Sequence, residues 1–339
     1  MTKLKVNNLS AKYSFIIFIT ITIGILGFYF NLQYFWSMDK HPVTIAVSKT
    51  PLSTPFYVAK SINSFDETCV EVEYTEVKGG QIAFEKVMNG DVDFGTSSDS
   101  VIAFKSLTKQ KFVTHAMFVQ SDNDVKLITR SSDRVTSVTE LKEKRVGVTK
   151  GTASEYLLST LLAIEGLTME HVQLYNYKPD ELIHGFSNNE VDAIVAWEPF
   201  VFKALQLLGD QIKIHDTKSL STLSFNLISQ TADNQLVEKA KCVIQGLQTA
   251  INYIVSHPKK SKKIVIDALE LDPAFIDWVW PDYIFKLGLN QSLILNINSQ
   301  AIWAVETQMS EFNEIPNSER FIDSRALLQV EPGAVNIPL

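Results

Sequence analysis

Glycine and hydroxyl residues follow a predicted strand at residues 145–149, and their types and spacing suit the binding of an anion. Gly151 permits a tight turn, and Thr152 and Ser154 open the predicted helix that follows. Free N–H groups, hydroxyls and the helix dipole would converge on one point, which favours a sulfonate, phosphate, nitrate or carboxylate group. The alternative is that Thr152 or Ser154 only caps the helix, and the sequence leaves these two hypotheses open.

An aromatic residue and a carboxylate follow a second predicted strand, at residues 191–196. Glu198 could pair with a ligand amine, and Trp197 could cover an apolar or cationic part of the ligand. The alternative is a packed tryptophan beside a glutamate that the helix dipole holds in the first turn of a helix. Residue type alone slightly favours this structural interpretation.

Polar residues after the other strands complete the candidate binding set. Ser97 and Ser98 follow a strand at residues 91–95, and Asp99 is there predicted to be a helix N-cap rather than a ligand contact. In open α/β sheets, ligands bind at the carboxyl ends of the strands. This rule selects the following candidate ligand-binding residues: Ser48, Thr50, Gln81, Ser97, Ser98, Gly151, Thr152, Ser154, Trp197 and Glu198.

Composition and motifs exclude several classes of function. The chain has 339 residues, of which 45% are hydrophobic and 20% charged, which predicts a folded protein of two domains or lobes. A net charge of -7 without a basic stripe argues against nucleic acid as a partner. The chain contains no GxSxG, HExxH, GxxxxGK[ST] or GxGxxG motif, and its six histidines show no ligand spacing. We therefore predict neither catalytic residues nor a metal or cofactor.

The two cysteines, Cys69 and Cys242, leave a choice between a disulfide and two thiols. Their spacing does not suit a metal site. A single disulfide would require an oxidising compartment. From the sequence we favour two separate buried thiols.

The N-terminal segment predicts a membrane anchor. Lysines at positions 3, 5 and 12 precede an apolar run at residues 15–30, and residues 14–36 are long enough to span a bilayer as a helix. The lysines place the N-terminus in the cytoplasm and the folded part, from about His41 onward, outside it. Cleavage as a signal peptide is the rival, although no A-x-A-like site follows the run.

The rest of the chain alternates between short apolar strands and helical stretches up to about Leu223, and is mainly helical thereafter. Such alternation predicts parallel sheets with helices on both faces. A short phrase recurs: residues 89–94 read NGDVDF and residues 188–193 read NNEVDA. Each phrase joins a helix end to a strand start, which fits two similarly built α/β units.

Several phrases together resemble one family of binding proteins. They are TPFYVAK at residues 54–60, KGG at 78–80, NGDVDFG at 89–95, LKEKRVGV at 141–148 with Gly151-Thr152, and EVDA at 190–193 with Trp197-Glu198-Pro199. In order and spacing they are similar to the periplasmic substrate-binding proteins of nitrate, sulfonate and taurine ABC importers, which are related to a thiamine-precursor group. The resemblance covers roughly residues 43–309.

This resemblance implies a type II periplasmic-binding-protein fold of two α/β lobes with a two-strand hinge. Residues 41–125 and 227–339 would form lobe one, residues 126–226 lobe two, and residues 1–40 the membrane anchor or signal segment. Gly151, Thr152, Trp197 and Glu198 would line a cleft opposite Ser48, Gln81 and Ser98. The implied partners are a small-molecule ligand and an ABC permease subunit at the extracytoplasmic face of the inner membrane.

The implied mechanism is capture of a solute by lobe closure, without chemistry. One rival is an enzyme like the pyrimidine-precursor synthases, but the cysteine-rich motif of those enzymes is absent. A second rival is a membrane-anchored module that senses a ligand. The sequence leaves the solute open: Gly151 and Thr152 favour an anionic group, whereas Glu198 and Asp99 favour a basic one. A zwitterion such as an amino-sulfonate would satisfy both.

Overall fold

The computed structural model describes residues 40–108, 110–133, 135–308 and 317–337. The strands, in chain order, are β1 (His41–Ser48), β2 (Val70–Val77), β3 (Phe94–Ser98), β4 (Val113–Ser121), β5 (Val125–Arg130), β6 (Arg145–Val148), β7 (Gln173–Asn176), β8 (Ala193–Trp197), β9 (Ile212–Ile214), β10 (Leu223–Ser229), β11 (Tyr283–Asn290) and β12 (Val335–Asn336). The α-helices are α1 (Thr54–Ser61), α2 (Gly80–Met88), α3 (Asp99–Ser106), α4 (Ala153–Ile164), α5 (Leu182–Ser187), α6 (Phe200–Leu208), α7 (Asn234–Ser256), α8 (Pro258–Leu269), α9 (Pro273–Val279), α10 (Gln291–Glu306) and α11 (Arg325–Val330).

The strands form two separate sheets, which we use to define a large and a small lobe. The large sheet has the order β12-β11-β4-β10-β3-β1-β2, and the small sheet has the order β7-β6-β8-β5-β9. The chain crosses between the sheets after Ser121 and again before Leu223. Residues 223–226, expected in lobe two, therefore lie in a strand of the large sheet, and Val125, expected in lobe one, lies in a strand of the small sheet.

The recurring Val-Asp phrase has the same structural role in the two lobes. Asp93 accepts a hydrogen bond from the Thr44 N–H (2.8 Å), and Asp192 accepts one from the Arg145 N–H (2.9 Å). In each case the aspartate N–H donates to the carbonyl of that same residue, at 3.1 Å and 2.8 Å. Asp93 thus fastens the start of β3 to β1, and Asp192 fastens the start of β8 to β6, so this part of the two lobes is built in the same way.

The large lobe is held by an aromatic core and by the long helix α7. Asp233 caps α7 by accepting the Leu236 N–H at 3.0 Å. The buried face of α7 follows the helical period through Val243, Leu247 and Ile254. Phe56 packs edge-to-face on Phe118, with ring centroids 5.0 Å apart. The small lobe has smaller cores, among them one that includes residues of β6, α4 and β8.

A disulfide joins Cys69, just before β2, to Cys242 of α7, with 5.7 Å between the Cα atoms. The expectation of two separate thiols is therefore wrong. The sequence could not decide because the pair is separated by 173 residues, and only the packing of α7 against the large sheet brings the two side chains together.

Two further expectations concern the ends of the chain. The segment at residues 14–36, predicted as a membrane anchor, lies outside the described residues. Among the helices that the model does describe, none combines the length and apolarity of a membrane span. The region after Leu223 was expected to be mainly helical, but β10 and β11 lie there and pair antiparallel with β4.

Candidate functional site

The carboxyl ends of β1 and β3 place Ser48 among hydrogen-bonding hydroxyls. Ser48 is fully buried, its Oγ donates to the Thr96 carbonyl (3.1 Å), and its N–H donates to Thr96 Oγ1 (2.9 Å). Thr50 follows and accepts the Leu52 N–H at 3.4 Å at the start of a short 3-10 helix. The Ser48 hydroxyl therefore fastens the end of β1 to β3, and the Thr50 hydroxyl stabilises the turn that follows.

The amino end of α2 approaches the end of β3 closely because Gly80 has no side chain. A Cβ at Gly80 would lie 3.0 Å from the Ser98 nitrogen, and Gly79 has a φ of +101° that favours glycine. Ser97 Oγ donates to the Gly80 carbonyl at 3.2 Å. The structure thus brings Gly80, Ser97 and Ser98 together, whereas Gln81 is exposed and donates to Glu85 of its own helix at 3.1 Å.

Ser98, not Asp99, caps helix α3. Ser98 Oγ accepts the Val101 N–H at 3.3 Å, so the expectation that Asp99 is the N-cap is wrong. Asp99 is fully buried and accepts N–H groups from Ser100 (2.8 Å) and Ser224 (3.2 Å) as well as the Asn296 amide. Burial raises the pKa of Asp99 to about 7, although these hydrogen bonds oppose the shift.

A small cavity of about 20 Å³ adjoins the Asp99 carboxyl. Gln120 and Asn296 are among its lining residues, and its size is that of one water molecule. Its lining residues come from α3, β4, β10 and α10, with Thr222 just before β10. All of these residues belong to the large lobe, so this cavity does not lie between the two lobes.

At the turn between β6 and α4, Thr152 has the helix-capping role that the sequence left open beside anion binding. Thr152 is the N-cap of α4: its Oγ1 accepts the Ser154 N–H (3.2 Å) and donates to the Thr149 carbonyl (2.7 Å). Ser154 is buried and its Oγ donates to the Val195 carbonyl of β8 at 2.6 Å. Ser154 thus fastens α4 to the small sheet.

The N–H group of Gly151 already has an anionic partner from the protein itself. Gly151 has a φ of +69°, and its N–H donates to Glu155 Oε2 at 2.8 Å. Glu155 is only 6% exposed, and burial raises its pKa, opposed by the Gly151 N–H and by Lys150. Glu155 was not among the predicted site residues, although Thr152-Ala153-Ser154-Glu155 has the T-x-x-E spacing that is typical of a helix start.

Glu198, after β8, is fully engaged by groups of the protein. Its Oε1 lies 3.3 Å from Lys126 Nζ and accepts the indole N–H of Trp278 at 2.7 Å. Its Oε2 accepts the Phe202 N–H at 3.1 Å, in the first turn of α6. Trp197 packs edge-on to Phe200 with 5.7 Å between ring centroids. These contacts agree with the structural interpretation of Glu198 and Trp197 that residue type alone slightly favoured.

Two sets of aromatic contacts bridge the lobes. Tyr156 of α4 lies against Trp303 of α10, with ring centroids 5.4 Å apart, and Phe202 of α6 lies against Phe275 of α9 at the same distance. Burial and the nearby Asp99 carboxyl raise the pKa of Tyr156. Because Tyr156 follows Thr152 by about one helical turn, the first turn of α4 lies at the boundary with the large lobe.

The described residues contain no group of histidine, cysteine, aspartate or glutamate side chains that could hold a metal ion. The described contacts across the lobe boundary include the two aromatic pairs and the hydrogen bond from the Trp278 indole to Glu198.

The two sheets, joined by two crossings, define the fold of the periplasmic binding proteins. The periplasmic aliphatic sulphonate-binding protein of Escherichia coli has the same fold, with a TM-score of 0.70 and 18% identity over 83% of this chain and 97% of that chain. An alkanesulfonate-binding protein from Xanthomonas axonopodis pv. citri, solved with MOPS bound, matches with a TM-score of 0.63 and 20% identity over 87% and 97% of the two chains.

The chain belongs to the NMT1/THI5-like family, whose model matches residues 50–261. A provisionally named binding protein of Brucella abortus is 22% identical over 58% of this chain, and the match spans 62% of that protein's length. A provisionally named aliphatic sulfonates-binding protein of Escherichia coli is 23% identical over 62% of this chain and 65% of that protein. The family resemblance inferred from the sequence is thereby confirmed, and these relatives are named as binding proteins, not as enzymes.

Proposed function

We propose that this protein is the extracytoplasmic solute-binding component of an ABC import system and captures a small anionic or zwitterionic, sulfonate-like molecule. The observation that carries the proposal is the position of the candidate residues on two separate sheets, at strand ends near a boundary that aromatic contacts bridge. A boundary between two lobes is where solute sites of this architecture form. Because several relatives are named as sulfonate-binding proteins, sulfonates are the first class of solute to test.

The proposed mechanism is capture by lobe closure. The open form admits the solute, and closure adds contacts from the second lobe and expels water. Closure is favoured only by the contacts that the solute makes in the closed state. Ser97, Ser98 and the backbone of Gly80 would face the solute from the large lobe, and the first turn of α4, which begins after Thr152, would face it from the small lobe.

The crossings between the sheets suit a hinge. Asp282 contacts both of them: its carboxylate accepts the Asn123 amide at 2.8 Å and lies 3.2 Å from Lys218 Nζ. One side chain of the large lobe therefore anchors the two segments about which the lobes would rotate. Hinges of this kind are a few residues at the ends of elements that absorb a change of backbone angle.

The proposed location is the extracytoplasmic face of the cytoplasmic membrane. The Cys69–Cys242 disulfide supports this location because such bonds persist in oxidising compartments and are rare in the cytosol. The membrane anchor at residues 1–40 and the docking of the closed form on a permease subunit remain part of the proposal.

A thermal-shift screen of the purified full chain tests solute binding. The panel contains nitrate, alkanesulfonates, an amino-sulfonate and pyrimidines. A solute that binds only the native state adds about 2.7 kcal/mol to the free energy of unfolding at a hundredfold excess over its Kd, which raises the midpoint by several degrees. The matched variants are Ser98→Ala at the lobe boundary and Ser132→Ala, whose exposed side chain lies on the small lobe.

The expected result is a midpoint shift for at least one solute that Ser98→Ala reduces and Ser132→Ala retains. A flat response over this panel and over a small-molecule extract would contradict solute binding. Uptake of the bound solute by cells, lost on deletion of the protein, would separate import from a sensing role.

A further inference from the structure

Three buried charged side chains, which we call the acid–lysine cluster, lie where the chain first crosses from the large sheet to the small sheet. Asp124 is in the crossing itself, Lys126 is the second residue of β5, and Glu198 follows β8. All three are buried. Lys126 Nζ lies 3.3 Å from Glu198 Oε1, and the Glu198 N–H donates to the Asp124 carbonyl at 3.1 Å. Two carboxyls therefore share one lysine in a site that is shielded from water.

The large lobe supplies aromatic side chains that cover this cluster. The indole N–H of Trp278, in α9, donates to Glu198 Oε1 at 2.7 Å, and its ring centroid lies 5.8 Å from Lys126 Nζ. The hydroxyl of the buried Tyr283, at the start of β11, donates to Asp124 Oδ1 at 3.4 Å. Because the cover belongs to the large lobe and the charges to the crossing and the small lobe, the burial of the cluster depends on how the lobes are oriented.

The next acid along the large lobe has a cation of its own. Asp282, just before β11, lies 3.2 Å from Lys218 Nζ in the second crossing and accepts the Asn123 amide at 2.8 Å. Within the described ranges, no second cation lies within ion-pair distance of Asp124 or Glu198. The charge balance of the acid–lysine cluster is therefore set by its own three members.

Two carboxylates and one ammonium cannot all be charged in a buried site without a cost. Burial, and next the Glu198 charge, raise the pKa of Asp124 to about 7, and the opposing groups are Lys126 and Tyr283. If rotation of the lobes exposed Asp124 to water, its pKa would return toward the ordinary aspartate value of about 3.9. Between these two pH values the described arrangement holds a proton that a more open arrangement releases.

We propose that the acid–lysine cluster is a pH-sensitive latch: a proton on Asp124 stabilises the described arrangement of the lobes, and its loss favours their rotation apart. The inference rests on the proposed lobe closure and adds its regulation. Because the described arrangement binds the extra proton, its population relative to the open form should fall as the pH rises toward 7, by up to about tenfold per unit. Above about pH 7 both forms have lost the proton, and the dependence should level off.

The distance between the lobes in the solute-free full chain tests the latch. Glu165→Cys places a spin label at the exposed end of α4 in the small lobe, and Lys259→Cys places one at the exposed start of α8 in the large lobe. The two native cysteines are joined in a disulfide and do not react with the label. Pulsed electron paramagnetic resonance measures the distance distribution at half-unit intervals from pH 5 to pH 8.

We expect a second distance to increase in population up to about pH 7 in the wild type. Asp124→Asn mimics the protonated carboxyl, so it should keep the pH 5 distribution throughout. Asp122→Asn removes a charge from the same crossing outside the cluster and can still accept the Ser219 hydroxyl, so it should behave as the wild type does. The histidines, including His215 beside β5, titrate alike in all three proteins. A distribution that is independent of pH in the wild type, or a dependence that persists in Asp124→Asn, would overturn the latch.

Glu198→Gln gives a second test that does not require Asp124→Asn to fold. Without the Glu198 charge, Asp124 has Lys126 to itself, so its proton is lost at lower pH. The distance distribution should therefore stop changing at a lower pH than in the wild type, and an unchanged pH would contradict the competition between the two carboxyls. Because no solute is present, these outcomes leave solute binding to be decided by the thermal-shift screen.

Discussion

Two strand ends of the small sheet each carry a buried glutamate, and the two glutamates differ in their partners. Glu198, after β8, has Lys126, the Trp278 indole and the Phe202 N–H. Glu155, in the first turn of α4, has one side-chain hydrogen bond among the described residues, from the Gly151 N–H. Glu198 directly follows its strand and Glu155 lies in the first turn of the helix after its strand, and the two differ in partners: Glu198 bonds to groups of both lobes, whereas the Glu155 bond stays within its own turn.

Replacing Glu198 by alanine should have the largest effect on stability. Lys126 has a side chain that is only 4% exposed and would lose its counter-charge, and the Trp278 indole would lose its acceptor. Breaking a buried pair in this way costs about 3–5 kcal/mol. Urea unfolding measures the loss, with Glu165→Ala as the exposed control. A loss below about 1 kcal/mol would show that Glu198 does not hold the lobes together.

Asp124 makes the comparison sensitive to pH because it competes with Glu198 for one lysine. Burial, and next the Glu198 charge, raise the pKa of Asp124 from 3.8 to about 7, while Lys126 and Tyr283 oppose the shift. Between about pH 4 and pH 7 the folded protein therefore holds a proton that the unfolded chain releases. The contribution of Asp124 to the free energy of unfolding accordingly decreases as the pH rises through this window.

Asp124→Asn should remove this pH dependence. The stability of the variant relative to the wild type should increase with pH by up to about 1.4 kcal/mol per unit between pH 5 and 6, and level off above pH 7. Denaturant unfolding at half-unit intervals measures this difference. The buried His115, whose pKa is lowered to about 4, titrates in both proteins and cancels in the comparison. Parallel pH profiles would contradict the shift.

Trp278→Phe should have an intermediate effect, because Glu198 would keep Lys126 and the Phe202 N–H. Loss of one hydrogen bond to a charged group costs about 1.5–3 kcal/mol, and the smaller ring leaves some space beside Phe202. Trp280→Phe is the matched control, since no hydrogen bond of its indole to Glu198 is present in the described structure. Equal losses in the two variants would show that ring volume, not the bond to Glu198, is responsible.

The sequence predicted the strands and helices before Leu223 well, because alternation of apolar segments and Gly-rich turns is a local signal. It missed β11, although Tyr283, Phe285 and Leu287 alternate with exposed residues in the manner of a strand. β10 is buried along nearly its whole length and lacks such alternation. Its placement depends on antiparallel pairing with β4 and β3 across the crossings, which no local pattern encodes.

The sequence indicated positions for the candidate site residues, but it did not indicate the role of each residue there. The strand-end rule selected the turns around Ser98 and Thr152, and their binding of a solute stays a prediction. The role of Glu198 depends on Trp278, which lies 80 residues further along the chain, and on Lys126, 72 residues earlier. Partners at such separations are set by packing of the lobes, so residue type alone could not separate a structural carboxylate from a binding one.

Glu155→Gln should have the smallest effect on the free energy of unfolding. It therefore gives the clearest contrast with substitution of Glu198. The side-chain oxygen of glutamine can still accept the Gly151 N–H, so this bond can persist. Because burial raises the pKa of Glu155, its charge is a cost to the fold that the neutral amide avoids. The free energy of unfolding at pH 7 should stay within about 0.5 kcal/mol of the wild type or rise. Chemical unfolding of Glu155→Gln and Glu198→Gln in parallel measures the contrast, and a loss above about 1.5 kcal/mol in Glu155→Gln would make the two glutamates equivalent structural residues.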